Sequence, residues 1–129
     1  IAALAGSGAV AVSLPCTPFG LAEEEYSPAK EMITQGCTFA LASDLNPGTA
    51  WCGNMQFVMA LACRYMGLTP AQAIAASTIN AAAAINRQEQ IGSIEPGKQA
   101  DMLILSVSDY RQMAYRFGTN LVRTIIKGG

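Results

Sequence analysis

Two short apolar runs, AVAVSL at residues 9–14 and CTFALA at residues 37–42, constrain this chain more than any other feature. Gly8 and Pro15 bound the first, and Gly36 precedes the second. A continuous apolar run of this length between breakers reads as a strand buried on both faces. Between them, Ser27 and Pro28 form an N-cap and first-turn pair, and PAKEMITQG supplies about two helical turns ending near Gly36. Pro15, Pro18 and Gly20 mark residues 15–28 as a connecting loop. Strand, helix and strand in that order predict parallel βαβ packing and an α/β fold.

The rest of the chain extends that pattern. Within WCGNMQFVMALACRYMG, residues 51–67, Met55, Met59, Ala62 and Met66 recur at helical spacing, with Phe57 and Leu61 beside them, which predicts a helix buried on most sides. Its methionines read as core filler rather than a cofactor box, and Gly67 is its stop. Thr69, Pro70 and Gln72 carry a capping-box signature for the next helix, which breaks around residues 77–80. Beyond Arg87 the texture changes. A Pro-Gly turn leads into a strand at residues 100–105, a polar aromatic connection follows, and LVRTIIKGG reads as a last strand. In that strand Val122, Thr124 and Ile126 alternate with Arg123, Ile125 and Lys127. No partner for these strands is evident in the sequence.

The composition excludes several classes. With 129 residues, 51% hydrophobic and a formal charge of −1, the chain can bury a core and does not read as disordered. The few basic residues form no stripe, which argues against nucleic acid and acidic membrane surfaces as partners. The opening IAALAGSGAVAVSLP lacks a basic n-region and is too short and Gly-broken to span a bilayer. It reads as an interior segment: a helix tail at residues 1–5, a glycine turn, then a strand. The four cysteines, Cys16, Cys37, Cys52 and Cys63, show no Cys-x-x-Cys spacing and read as free thiols of a reducing, cytoplasmic environment. The absence of histidine means that this chain alone builds no histidine-based metal site or triad.

Chemistry in parallel α/β folds gathers at the carboxyl ends of strands. There the sequence reads SDLNPGTA, residues 43–50. Asp44 can ligate a divalent metal or take a proton from water. Asn46 offers donor and acceptor, Gly48 permits close backbone approach, and Thr49 adds a hydroxyl. The competing reading is structural: Asp-x-Asn-Pro-Gly is also good turn chemistry, and Asp44 could simply cap the next helix. Trp51 and Cys52 border this loop and suit either a pocket lining or the core. Gly6 to Gly8 lack the Lys-Ser/Thr of a phosphate loop. Glu23, Glu24 and Glu25 read as a solvated face. Lys98 and Asp101 read as structural residues of the Pro-Gly turn, Asp101 through local hydrogen bonds.

Three segments together resemble a known family. ALASDLNPG, residues 40–48, is similar to the eighth-strand segment of the imidazolonepropionases of the amidohydrolase superfamily. TPAQAIAASTINAAAAI, residues 69–85, and IGSIEPGKQADMLIL, residues 91–105, resemble that superfamily's following helices and its return into a small β domain. The resemblance implies the C-terminal part of a TIM-like amidohydrolase barrel, with its last two strands and helices, at residues 1–86. Residues 87–129 would be C-terminal strands of a small β-sandwich subdomain. It also implies a Zn or Fe ion that activates water to open the cyclic C–N bond of 4-imidazolone-5-propanoate, giving N-formimidoyl-L-glutamate in histidine degradation. Asp44 matches the metal-ligating and proton-accepting aspartate, and Asn46, Gly48 and Thr49 match substrate-binding positions. A homodimer with a small-molecule substrate is expected on the same ground. The histidines that complete the family's site are not in this sequence, so the 129 residues alone are expected to be inactive and to hold metal weakly. Two other readings stay open from the residues: another amidohydrolase, such as a deaminase or cyclic amidase, and a non-catalytic α/β interaction module.

Overall fold

The computed structural model describes residues 1–129 and is an α/β arrangement of seven short helices and four strands. In chain order these are α1 (Ala2–Ala5), β1 (Val10–Ser13), α2 (Cys16–Gly20), α3 (Ala29–Thr34), β2 (Thr38–Leu41), α4 (Met55–Tyr65), α5 (Pro70–Ser77), α6 (Ile79–Ala84), β3 (Met102–Leu105), α7 (Gln112–Tyr115) and β4 (Val122–Ile126). Strands β1 and β2 pair in parallel, Val10 opposite Thr38 and Ser13 opposite Leu41. The βαβ unit expected from the two apolar runs is therefore present. Its strands differ in burial: Phe39, Ala40 and Leu41 of β2 are buried, whereas Val12 of β1 is 48% exposed. The first strand is thus not covered on both faces, although its continuous apolar run predicts burial on both.

The core lies between β2 and the helices that follow it. Phe39 and Leu41 pack with Val58, Met59, Leu61, Ala62 and Met66 of α4 and its end, and with Ala73 and Ala76 of α5. Helix α4 begins at Asn54, whose side chain accepts from the Gln56 and Phe57 amides. Asn54 thus satisfies two of the helix's otherwise unpaired donors. The capping box at Thr69 and Gln72 forms as expected, and the helix breaks at Thr78, between α5 and α6. Asn80 of α6 donates Nδ2 to the Phe39 carbonyl at 2.8 Å, tying that helix to β2.

Several expectations are corrected. The N-cap of α3 is Pro28 with no side-chain cap. Ser27 instead shares a 2.9 Å bond with Ser13 at the end of β1, so a tertiary partner displaced the local one. Residues 15–28 are not all loop, because α2 forms directly after β1. The two late strands do have a partner in the chain. They pair antiparallel with each other, Met102 opposite Ile126, with an irregularity between Ile104 and Leu105. Asp101 does bond Gln99 locally, but it also accepts from the Gly128 amide and the Lys127 ammonium, closing the far end of that hairpin. Residues 112–121 lie against α4: Gln56 Nε2 donates to the Arg116 carbonyl at 2.9 Å, and Arg64 donates to the Ala114 carbonyl at 2.5 Å. The Arg64 guanidinium also stacks 4.6 Å from the Phe117 ring centre.

Candidate active site

Because β1 and β2 run in parallel, their carboxyl ends open on one side, and each leads into a connecting segment there. After β1 come Leu14, Pro15 and helix α2. After β2 come Ala42, Ser43 and Asp44. The Ala42 amide donates to the Ser13 carbonyl at 3.0 Å, so the ladder runs to the mouth. At Asp44 the backbone leaves the strand with φ at 51°. That left-handed conformation is costly for most side chains and tolerated best by Asp and Asn.

Asn46 holds the loop beyond it together. Its Nδ2 donates to the Asp44 carbonyl at 2.7 Å, and its Oδ1 accepts from the Gly48 amide at 2.9 Å and the Thr49 amide at 2.8 Å. Longer contacts join its amide to Thr49 Oγ1, at 3.2 and 3.3 Å. The Asn46 amide nitrogen pairs with the Ala50 carbonyl at 3.1 Å. Asp44, Asn46, Gly48 and Thr49 therefore come together as one tight turn at the strand mouth, as the turn reading expects. It is good turn chemistry, and it leaves the Asp44 carboxylate out of the turn's hydrogen bonds. Asp44 does not cap α4, since Asn54 does.

The Asp44 carboxylate is solvent-facing and meets one donor of this chain: Thr17 Oγ1 gives a 3.1 Å bond to Oδ2. Oδ1 is engaged by no donor of the chain. Helix α2, which carries Thr17, touches the loop again at Gly20. A Cβ there would lie 2.0 Å from the Thr49 carbonyl oxygen. Pro15 and Cys16 are buried and seat the helix, and Phe19 packs edge-on against Phe57 of α4 at 5.1 Å. Burial pushes the Cys16 thiol up to about 12, and the Cys52 thiol beside it adds to the rise. All four cysteines are free, as expected. Trp51 is 79% exposed and does not pack in the core, whereas Cys52 packs against it.

The donor chemistry fits a cation as one ligand of several. Asp44 brings a carboxylate with an open oxygen, but nowhere does the chain gather three His, Cys, Asp or Glu side chains. Further ligands would have to come from outside these residues. Thr17 and Gly20 were missed in the sequence. The rule that ligands gather at strand ends applies to both strands, and it points to residues 15–20 as much as to residues 43–50.

Comparison with known proteins agrees with this architecture. The amidohydrolase family profile matches residues 3–129. The chain is 50% identical over all 129 residues to an imidazolonepropionase of Herpetosiphon aurantiacus and 51% identical to one of Porphyromonas gingivalis, in each case spanning 30% of the relative's length. Among solved structures, a zinc-bound adenosine deaminase of Xanthomonas campestris superposes with a TM-score of 0.85 at 23% identity, over 98% of this chain and 32% of that one. The guanine deaminase of E. coli superposes with a TM-score of 0.78 at 18% identity, over 99% and 35%. At those identities the superpositions establish the fold. No helix of the chain is long and apolar enough to cross a membrane.

Proposed function

We propose that this chain, which belongs to the amidohydrolase family, supplies the C-terminal part of an imidazolonepropionase. The reaction is hydrolysis of the cyclic C–N bond of 4-imidazolone-5-propanoate to N-formimidoyl-L-glutamate. The observation that carries this reading is the identity of about half the residues to two imidazolonepropionases, over a stretch that includes the whole Asp44–Thr49 loop. The deaminases among the structural neighbours share the fold at much lower identity.

Residues 1–86 would form the end of the barrel and residues 87–129 the C-terminal strands of the small β domain. Zinc or iron, held by Asp44 with ligands from elsewhere in the longer chain, would supply Lewis acidity for activating water and polarising the ring carbonyl. Asp44 Oδ1, which no donor of the chain occupies, would take the proton of the attacking water. As the ring C–N bond breaks, it would return that proton to the departing nitrogen. Asn46 fixes the turn that presents this carboxylate. Gly48 keeps the turn narrow, and Thr49 Oγ1, held only by its long contacts to Asn46, is the group that a substrate carboxylate could win over. A homodimer in the cytoplasm belongs to the same reading.

The test is turnover by the full-length protein that contains these residues. Hydrolysis of 4-imidazolone-5-propanoate, without comparable hydrolysis of other cyclic amides or deamination of nucleobases, is the expected result. Preferential deamination of a nucleobase would overturn it.

A further inference from the structure

We propose that Thr17 is a positioning residue for the Asp44 carboxylate. The inference rests on the reading above, in which Asp44 handles metal and proton. Thr17 and Asp44 lie 27 residues apart, on the segments that follow β1 and β2, and the 3.1 Å bond from Thr17 Oγ1 to Oδ2 joins the two strand exits. It is the carboxylate's one hydrogen bond within the chain, and it engages one oxygen while leaving the other open.

The geometry makes Thr17 suited to this work. An exposed aspartate side chain rotates between rotamers with little bias unless a partner selects one. The left-handed backbone at Asp44 fixes where the side chain starts, and Asn46 holds that backbone through the Asp44 carbonyl. Neither sets the carboxylate plane. Thr17 does, from a helix that is itself seated by buried Pro15 and Cys16 and by the Phe19–Phe57 contact. Its Cβ branch restricts χ1, so the hydroxyl is directed before any cation or substrate arrives. Hydrogen bonds of this kind to a metal-ligating carboxylate orient the ligand and tune its affinity.

The experiment uses the full-length protein and compares wild type with Thr17→Val, which keeps the shape and removes the hydroxyl, and Thr17→Ser, which keeps the hydroxyl. Zinc affinity is measured by competition with a chelator, and kcat and KM at saturating zinc. Thr17→Val is expected to weaken zinc binding by roughly 10-fold or more, the usual loss for a partner of a metal ligand. At saturating zinc it should lower kcat with KM nearly unchanged, and Thr17→Ser should restore most of both. Thr17→Val binding zinc as tightly as wild type, or Thr17→Ser binding as weakly as Thr17→Val, overturns the proposal. Wild-type turnover of 4-imidazolone-5-propanoate, measured in parallel, separates the two readings. Its absence beside a Thr17-dependent zinc affinity removes the substrate assignment and leaves Thr17 standing. Its presence beside a Thr17-independent affinity does the reverse.

Discussion

Gly20→Ala is the substitution most sensitive to how α2 meets the site loop. The added Cβ would lie 2.0 Å from the Thr49 carbonyl oxygen and 3.2 Å from its carbonyl carbon. Carbon–oxygen contacts normally begin at about 3.3 Å, so helix and loop must separate by roughly 1.3 Å. Gly20 has no positive φ, so backbone strain plays no part. It ends α2, where alanine's better helix propensity would by itself add up to about 1 kcal/mol. Overpacking against a fixed carbonyl costs about 1–3 kcal/mol. The steric effect wins because the obstacle is main chain, held by the Asn46 hydrogen bonds, and cannot swing aside. The net loss of stability should be about 1–2 kcal/mol. On the proposed function, the larger consequence falls on chemistry. Thr49 and Asp44 are joined through Asn46, and a displacement near 1 Å of a reacting group lowers rate by about 100-fold. Denaturant unfolding and steady-state turnover of the full-length protein measure both effects. A Gly20→Ala protein as stable as wild type, with unchanged kcat, would refute the close approach and with it the role of α2 as buttress.

Other expectations follow from contacts elsewhere in the chain. Gln56→Leu leaves the buried Leu121 amide without the acceptor that bonds it at 3.3 Å, while the Arg116 carbonyl loses a 2.9 Å bond but still accepts from Thr119. At about 1–3 kcal/mol for one buried group left unsatisfied, the loss should be about 1–3 kcal/mol. Faster hydrogen exchange at the Leu121 amide would report it, and unchanged exchange would count against the clamp. The Lys127 ammonium, with the Gly128 amide, holds the Asp101 carboxyl below its ordinary value. A lowered folded-state value means that the contribution to stability is present above the usual carboxylate range and is lost as pH falls through the folded value. Acid should therefore loosen the end of the β3–β4 hairpin in wild type, and Asp101→Asn should remove that pH dependence, as read by Gly128 amide exchange. Finally, the 129 residues alone should lose added zinc in a chelator wash, because one carboxylate and no histidine make a weak site. Stoichiometric zinc surviving the wash would contradict the division of ligands proposed here.

What the sequence determined by itself was local. Apolar runs between breakers located β1 and β2, Thr69 and Gln72 wrote their capping box, Gly67 ended a helix, and residues 43–50 announced a turn at a strand mouth. Each of these depends on groups a few residues apart, where backbone geometry and composition nearly fix the outcome. The tertiary structure alone decided which groups meet across the chain. It gave Ser27 to Ser13 rather than to a cap, paired β3 with β4, set Thr17 on Asp44 and brought Gly20 against Thr49. Alternation and periodicity state which face a residue shows but not what it faces. Thr17 and Asp44, and Gly20 and Thr49, meet only because parallel strands deliver their carboxyl ends to the same place.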